Sequence, residues 1–266
     1  MKPSGIITLI TDFGLRDWYV GAMKGAILGV NPDASIIDIT HDIDPGDVTA
    51  AAIALRNSYR YFPTGTVHVV VVDPGVGGGR KILLAEWERH LFLAPDNGII
   101  SGALGGNAMG NVRSVERPSF RHRCVSDTFH GRDIFAPVAA HLSKGVSPSR
   151  MGPTYKKTVT YGLPLPERVN DNLFRAEVIH VDRFGNLITN IDGCAPILRE
   201  GMVIRIRGRE IRGISRSYDA VRKGHLLAIR GSSGYLEISV NGGNASKKLG
   251  ARRGTTLSVK RIERKR

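Results

Sequence analysis

The chain has 266 residues, 41% of them apolar and 23% charged, with 32 glycines and a formal net charge of +14. That is enough chain for one large domain or two modest ones around a real core, at an ordinary composition for a folded protein. No apolar run reaches the ~18 to 20 residues that span a bilayer, and two cysteines are too few for a disulfide framework or a cysteine-built zinc site.

The first apolar run meets Asp12 too early to be the core of a signal peptide, so a cytoplasmic protein is expected. The positive excess is spread along the chain and thickens at the end, KKLGARRGTT and then KRIERKR. It reads as a solvated basic tail in preference to a nucleic-acid site.

IITLIT (6–11) reads as a strand apolar on both faces. Tyr19, Met23, Ile27 and Val30 then share one helical face, and Asn31-Pro32 ends that helix. SIIDIT (35–40) is a second strand. Gly46-Asp47 opens a helix with Val48, Ala51, Ala52, Leu55 and Tyr59 on one face, and TVHVVVVD (66–73) is a third strand. Apolar runs alternating with helices predict a mainly parallel sheet flanked by helices. ILLAE (82–86) and LFLAP (91–95) suggest a hairpin, and residues 131–144 a helix with Pro137 near its first turn.

The texture changes after about residue 165. LPLPERVNDN is a Pro-rich polar connector, and beyond it FRAEVIHVD, NLITNI, MVIRIRG, LLAIRG, YLEISV and TTLSVKR are short strands between turns. The expectation is an α/β domain over 1–165 and a smaller antiparallel, barrel-like β domain over 172–266.

Three polar segments follow strands or precede a helix, where ligands bind in open α/β sheets: TDFGLRD, DPGVGGGR and SDTFHGRD. The glycine loop VVVVDPGVGGGR (69–80) lacks the GK[ST] of a Walker loop and the helix of a dinucleotide fingerprint. A plain turn would account for its glycines but not for Asp73 at the strand end. Asp12 could accept from the vicinal hydroxyls of a ribose, or form an Asx turn or cap; Asp17 suits a helix N-cap. His130 lies among charges of both signs, which can tune a histidine near neutrality, whereas His90 and His122 read as surface.

Further on, Asp182, Phe184, Asn186 and Asn190 crowd one turn. An amide there suits a purine edge and an aromatic its face, though a Gly-Asn hairpin turn explains the same residues. Ser232 and Ser233 in GSSGYLEISVNGG, with the neighbouring backbone N–H groups, could hold a carboxylate.

Together the stretches ITLITDFGLRDWYVGAMKG, ITHDIDPGDVTAAA, VVVVDPGVGGGR, APDNG, TFHGRDIFAPVAA, VDRFGNLITNI and SSGYLEISVNGG resemble the S-adenosylmethionine (SAM) hydroxide adenosyltransferases, or SAM hydrolases, relatives of fluorinase and chlorinase. The match runs in the family's order over nearly the whole chain. The resemblance implies an N-terminal α/β domain, a C-terminal β domain and a homotrimer with sites between subunits. The implied reaction is SAM plus water giving adenosine and L-methionine, with SAM as substrate and no cofactor.

By the same resemblance Asp73, Arg80 and His130 are catalytic, and Asp12 binds ribose. Asp17 and Tyr19 meet the methionine part, Asp182 its amine, and Ser232 and Ser233 its carboxylate. Asn186 reads adenine with Phe184 nearby. Halogenases of this group carry an aromatic where this chain has His130, and fluorinase a hydroxyl residue where it has Gly131, which disfavours halide chemistry. Fluorinase also has an arginine where this chain has Ser233. A SAM-dependent halogenase and a non-catalytic SAM or adenosine regulator are the competing readings.

The sulfonium leaves as a neutral thioether, so the chemical burden falls on the nucleophile. A water must sit in line behind C5′ and lose a proton to Asp73 or His130, with Arg80 orienting the pair or favouring hydroxide.

Overall fold

In the first half, the apolar runs form β1 (Ile6–Thr11), β2 (Ser35–Thr40), β3 (Val67–Val71), β4 (Ile82–Trp87) and β5 (His90–Pro95), joined by a short β6 (Val112–Ser114). The computed structural model describes residues 1–105, 111–198 and 201–261, and these divide between two units, Met1–Gly162 and Leu163–Arg266.

In the first unit the strands lie in the order β2-β1-β3-β5-β4-β6. The four strands β2, β1, β3 and β5 are parallel, while β4 runs antiparallel between β5 and β6. Helix α1 (Tyr19–Val30) packs with α4 (Ala136–Ser143) on one face, and α2 (Val48–Ser58) packs with α3 (Ile99–Leu104) on the other. Each face has its own core, around Ile7, Leu9, Met23, Ile27 and Phe135 and around Ile10, Leu55, Tyr59, Val70 and Phe92. Both faces of β1 and β3 are therefore buried, which explains why their sequences do not alternate.

β2 and β3 lie on opposite sides of β1, so the order reverses there. The crevice outside the carboxyl ends of β1 and β3 is a topological switch point, the usual place for a ligand in such sheets. Asp12 follows one of those ends and Asp73 comes two residues after the other.

Several local expectations change. β2 is a half-exposed edge strand. Asp47 caps α2, accepting from the Ala50 N–H at 2.9 Å. Asp17 caps nothing: Trp18 is the cap position of α1 and makes no side-chain cap bond. The buried face of α1 is Val20, Met23 and Ile27, which turns Tyr19 outward. Residues 131–144 form a π-helical turn (Gly131–Phe135) followed by α4, with Pro137 in the first turn of α4, where it needs no N–H partner.

His90, expected at the surface, is 5% exposed. It stands beside the equally buried His68, Nδ1 to Nε2 at 3.2 Å, and His68 Nδ1 meets the Thr8 hydroxyl at 2.8 Å. A chain of ring nitrogens and a hydroxyl satisfies what would otherwise be costly buried polar groups.

The named strands of the second unit pair antiparallel. Its strands are β7 (Glu167–Asn170), β8 (Leu173–Val181), β9 (Leu187–Asp192), β10 (Met202–Ile206), β11 (Arg209–Arg212), β12 (Leu226–Arg230), β13 (Tyr235–Val240) and β14 (Thr256–Arg261). They run β11-β10-β14-β8-β9-β13-β12, with β7 beside β8. A bridge from Ser215 to Ile229 draws the segment after β11 toward β12, so the sheet is nearly closed. Val178, Leu187, Ile204, Leu236, Ile238 and Val259 fill its interior. Part of the expected connector, Glu167–Asn170, is strand β7, and a short helix α5 (Ala245–Leu249) follows β13. Residues 262–266, most of the basic KRIERKR end, lie outside the described residues.

Candidate active site

Asp73 leaves β3 with its side chain 5% exposed, and Arg80, seven residues on, is 14% exposed. Between them the glycine loop folds back so that the Arg80 Nε donates to Asp73 Oδ1 and the Arg80 Nη2 pairs with Oδ2. A two-pronged guanidinium–carboxylate contact of this kind fixes orientation as well as charge. The Gly75 N–H adds a bond to Oδ1 at 3.3 Å, and the Asn97 amide donates to the Val72 carbonyl at 2.9 Å, holding the strand end from which Asp73 projects.

Gly77 has φ +78°, and a Cβ there would lie 2.3 Å from the Asp127 carbonyl oxygen. Only glycine lets the loop approach the segment SDTFHGRD so closely. On its other side that segment touches the β1 loop: a Cβ on Gly131 would meet the Phe13 ring at 3.2 Å. The β1 loop is itself tied down. Gly14 N–H donates to the His41 carbonyl at 2.8 Å, the Thr11 hydroxyl meets His41 Nδ1 at 2.8 Å, and Asp12 Oδ2 accepts from the Gly46 N–H at 2.9 Å. The three polar segments flagged in the sequence thus converge on the switch point.

His130 begins the π-turn, half-buried, and its Nδ1 is buried without a hydrogen-bond partner among the described residues. Burial, and then the nearby Arg80 guanidinium, push its pKa below the ordinary histidine value. Burial likewise pushes Arg80 down from the usual arginine value.

A cleft of about 460 Å³ opens beside this cluster, lined by Asp12, Phe13, Trp18, Tyr19, Ser126, Thr128, Phe129 and Arg132. Phe13, Trp18 and Tyr19 all meet Phe129 edge-on or nearly so, with centroids 5.2 to 5.9 Å apart, and the Arg132 guanidinium lies 5.0 Å from the Phe129 ring centre. Trp18, 61% exposed, Phe129 and Arg132 lie inside the motifs quoted above, but the sequence reading gave them no role. Asp17 stands exposed at the rim of the same loop.

In the second unit, the Asn186 backbone N–H donates to Asp182 Oδ1 at 2.8 Å and the Asn186 amide to Oδ2 at 2.9 Å. Asn186 is 8% exposed, whereas Phe184, at the turn's tip, is 75% exposed. Gly185, φ +84°, presses against Asn244, which a Cβ would meet at 2.1 Å. Ser232 and Ser233 occupy the middle of a turn closed by the Gly234 N–H on the Gly231 carbonyl at 3.0 Å. Beside that turn is the buried Glu237, which accepts from the Tyr218 hydroxyl at 2.9 Å and the Ser239 hydroxyl at 2.6 Å. Burial, then the bond to Glu237, push the Tyr218 phenol up to about 12. Asn190 serves the fold, its side-chain oxygen accepting from the Glu177 N–H at 3.0 Å. Among the described residues, no group of three or more His, Cys, Asp or Glu side chains is placed to hold a metal ion.

The chain is similar to known proteins. The SAM hydroxide adenosyltransferase N-terminal domain matches residues 7–152 and the corresponding C-terminal domain residues 176–258. An (R)-S-adenosyl-L-methionine hydrolase from Salinispora tropica is 37% identical over 97% of this chain and 99% of its own. A fluorinase from Nocardia brasiliensis is more distant, 29% identical over 70% of this chain and 71% of its own. The crystal structure of an uncharacterized conserved protein from Thermotoga maritima superposes with a TM-score of 0.89, at 36% identity over 96% of this chain and all of the other. The chain belongs to the SAM hydroxide adenosyltransferase family.

Proposed function

We propose that this protein hydrolyses SAM to adenosine and L-methionine by in-line attack of water on C5′. One observation carries the reading: the buried Asp73–Arg80 pair at the switch point, closed by Gly77 onto the segment that bears His130. A nucleophilic water there would meet a fixed charge pair and a neutral imidazole at once.

Asp73 already engages Arg80 through both oxygens. Burial and Arg80 favour the neutral form of His130, and its Nδ1 has no hydrogen-bond partner among the described residues. His130 is therefore the better proton acceptor, and the Asp73–Arg80 pair orients the water. A positioned base of this kind contributes about 10²- to 10⁴-fold, and in-line placement adds the entropic advantage of a near-attack geometry.

Asp12, steadied by the Gly46 N–H, faces the ribose hydroxyls, and Asp17 and Tyr19 meet the methionine part. The Asn186 amide, with one N–H spent on Asp182, keeps an N–H and a carbonyl oxygen for the adenine edge. Phe184 lies beside the base, Asp182 near the methionine amine, and Ser232 and Ser233 take its carboxylate. The substrate needs no further cofactor in this scheme. A homotrimer with sites between subunits is part of the proposal; light scattering would then return three chains of 28.9 kDa. We place the protein in the cytoplasm, and nucleic acid has no part in the scheme. Among the described residues no helix is long and apolar enough to cross a membrane.

The test is turnover of SAM in ¹⁸O-water. The label is expected in the 5′-hydroxyl of adenosine. Unlabelled adenosine would rule out direct attack by water, binding without product would make the protein a regulator, and 5′-halo-adenosine formed with chloride or fluoride would move it to the halogenase branch.

A further inference from the structure

The loop that carries Asp12 out of β1 is held by the segment that follows β2, and one residue of that segment touches it twice. His41 comes directly after β2, the half-exposed edge strand. The pairing of β2 with β1 slips between Leu9 and Ile10, so the ladder ends irregularly just before the loop. Residues 41–46 then take over. The His41 carbonyl accepts from the Gly14 N–H at 2.8 Å, the Ile43 N–H donates to the Thr11 carbonyl at 3.4 Å, and the Gly46 N–H donates to Asp12 Oδ2 at 2.9 Å.

The His41 ring adds a second hold. Its side chain is 2% exposed. Nδ1 meets the hydroxyl of the fully buried Thr11 at 2.8 Å, and the Phe13 N–H donates to that same hydroxyl at 3.3 Å. On the far side of the ring, Nε2 makes no aligned hydrogen bond among the described residues, but it faces the Asp38 carboxylate, Oδ1 at 3.1 Å. Asp38 Oδ2 in turn accepts from Lys24 Nζ of α1 at 2.6 Å. A carboxylate on that side favours the tautomer protonated at Nε2, which leaves Nδ1 to accept from the Thr11 O–H and Thr11 Oγ1 to accept from the Phe13 N–H. Donors and acceptors then alternate without conflict along the chain, so its members reinforce one another. The chain ends on Thr11 and Phe13, the residues immediately before and after Asp12.

We propose that His41 is a positioning residue for substrate binding: its ring, backed by Asp38 and acting through Thr11, fixes the backbone on both sides of Asp12 and so aims that carboxylate at the ribose hydroxyls. The role rests on the SAM hydrolase reading above, in which Asp12 faces the ribose. Gly46 steadies one oxygen of the Asp12 carboxylate but not the backbone that carries it. A misplacement of about 1 Å is enough to spoil a positioned contact. The ring is buried, so it acts through Thr11 and not on the substrate itself.

The experiment compares the affinities of adenosine and 2′-deoxyadenosine by calorimetry. A hydrogen bond to a carboxylate should give the parent protein a preference for adenosine of about ten- to a hundredfold. In His41→Ala that preference is expected to shrink to within about threefold, and KM for SAM to rise about tenfold with kcat changed by less than about threefold. His41→Asn, whose amide reaches the place of Nδ1 and keeps the bond to Thr11, should retain most of the preference. A merely structural role weakens both nucleosides alike and leaves the preference as it was. That outcome overturns the proposal, as does an Asn variant that discriminates no better than the Ala variant. If His41→Ala misfolds or binds neither nucleoside, Thr11→Val, similar in shape but without the hydroxyl, carries the same test. A parent protein without the preference defeats the assignment of ribose to Asp12, and the inference falls with it; a preference present in the parent and kept in His41→Ala defeats the inference alone.

Discussion

The glycine loop of the first unit and the Asp182–Asn186 turn of the second use the same devices to different ends. Each has a buried or half-buried aspartate, and each has a glycine at positive φ pressed against a neighbouring segment, Gly77 on Asp127 and Gly185 on Asn244. What differs is the partner of the carboxylate. Asp73 faces a guanidinium from seven residues away, whereas Asp182 accepts from the backbone and amide of Asn186, four residues on, within its own turn. The first arrangement concentrates charge in a nearly dry place, where electrostatics are strong. The second holds an amide in one orientation, which is what selecting a base requires. The comparison separates a region that should govern kcat from one that should govern KM.

The largest test is Asp73→Ala. We expect kcat to fall about 10³-fold while SAM binding, measured by calorimetry, stays within about threefold. An unchanged kcat would remove the glycine loop from the chemistry and dissolve the contrast.

Gly77→Ala and Gly185→Ala form a matched pair, because each added Cβ would lie 2.1 to 2.3 Å from an atom of the neighbouring segment. Both should lower stability by about 1 to 3 kcal/mol. Gly77→Ala should also cut kcat about 10- to 100-fold by displacing Arg80 from His130, and Gly185→Ala should raise KM instead. Equal effects on both constants from both variants would show that the two turns are not specialised.

Asn186→Ala comes next, with KM raised about tenfold, the worth of a buried amide's bonds, and kcat changed by less than about threefold.

The last test concerns stability alone. Burial, and then His90, push His68 down to about 3, so the folded chain refuses a proton that the unfolded chain takes up near pH 6.5. Stability is therefore full above about pH 6.5 and declines as pH falls toward 3. Between pH 7 and pH 5 the loss should be about 2 kcal/mol by denaturant unfolding. Replacing His68 by Gln, which does not titrate, should flatten that decline; an equal decline in the variant would place the acid sensitivity elsewhere.

Much of the first unit was legible because its signals are local. IITLIT and the valine run of β3 declare strands buried on both faces, the Met23–Ile27 spacing declares a helix, and Gly46-Asp47 declares the start of another. Short elements were not legible. β6, β11, α3 and α5 are three to six residues long, and β7 hides in a polar, Pro-flanked stretch; each exists because a longer element pairs with it or packs on it. His90 was misread for the same reason: its partner His68 is 22 residues away.

By itself the sequence determined the two textures of the chain, the long strands and helices, and the order of the motifs that mark the family. These follow from hydrophobic period, turn residues and the chemistry of single side chains, all readable within a few neighbours. Only the tertiary structure decided that Asp73 spends both oxygens on Arg80, that Gly77 closes the loop onto Asp127, and that Trp18 and Phe129 wall the cleft. Those facts are distances between residues remote in sequence, set by how the sheet reverses at β1 and by what its loops can reach across the switch point.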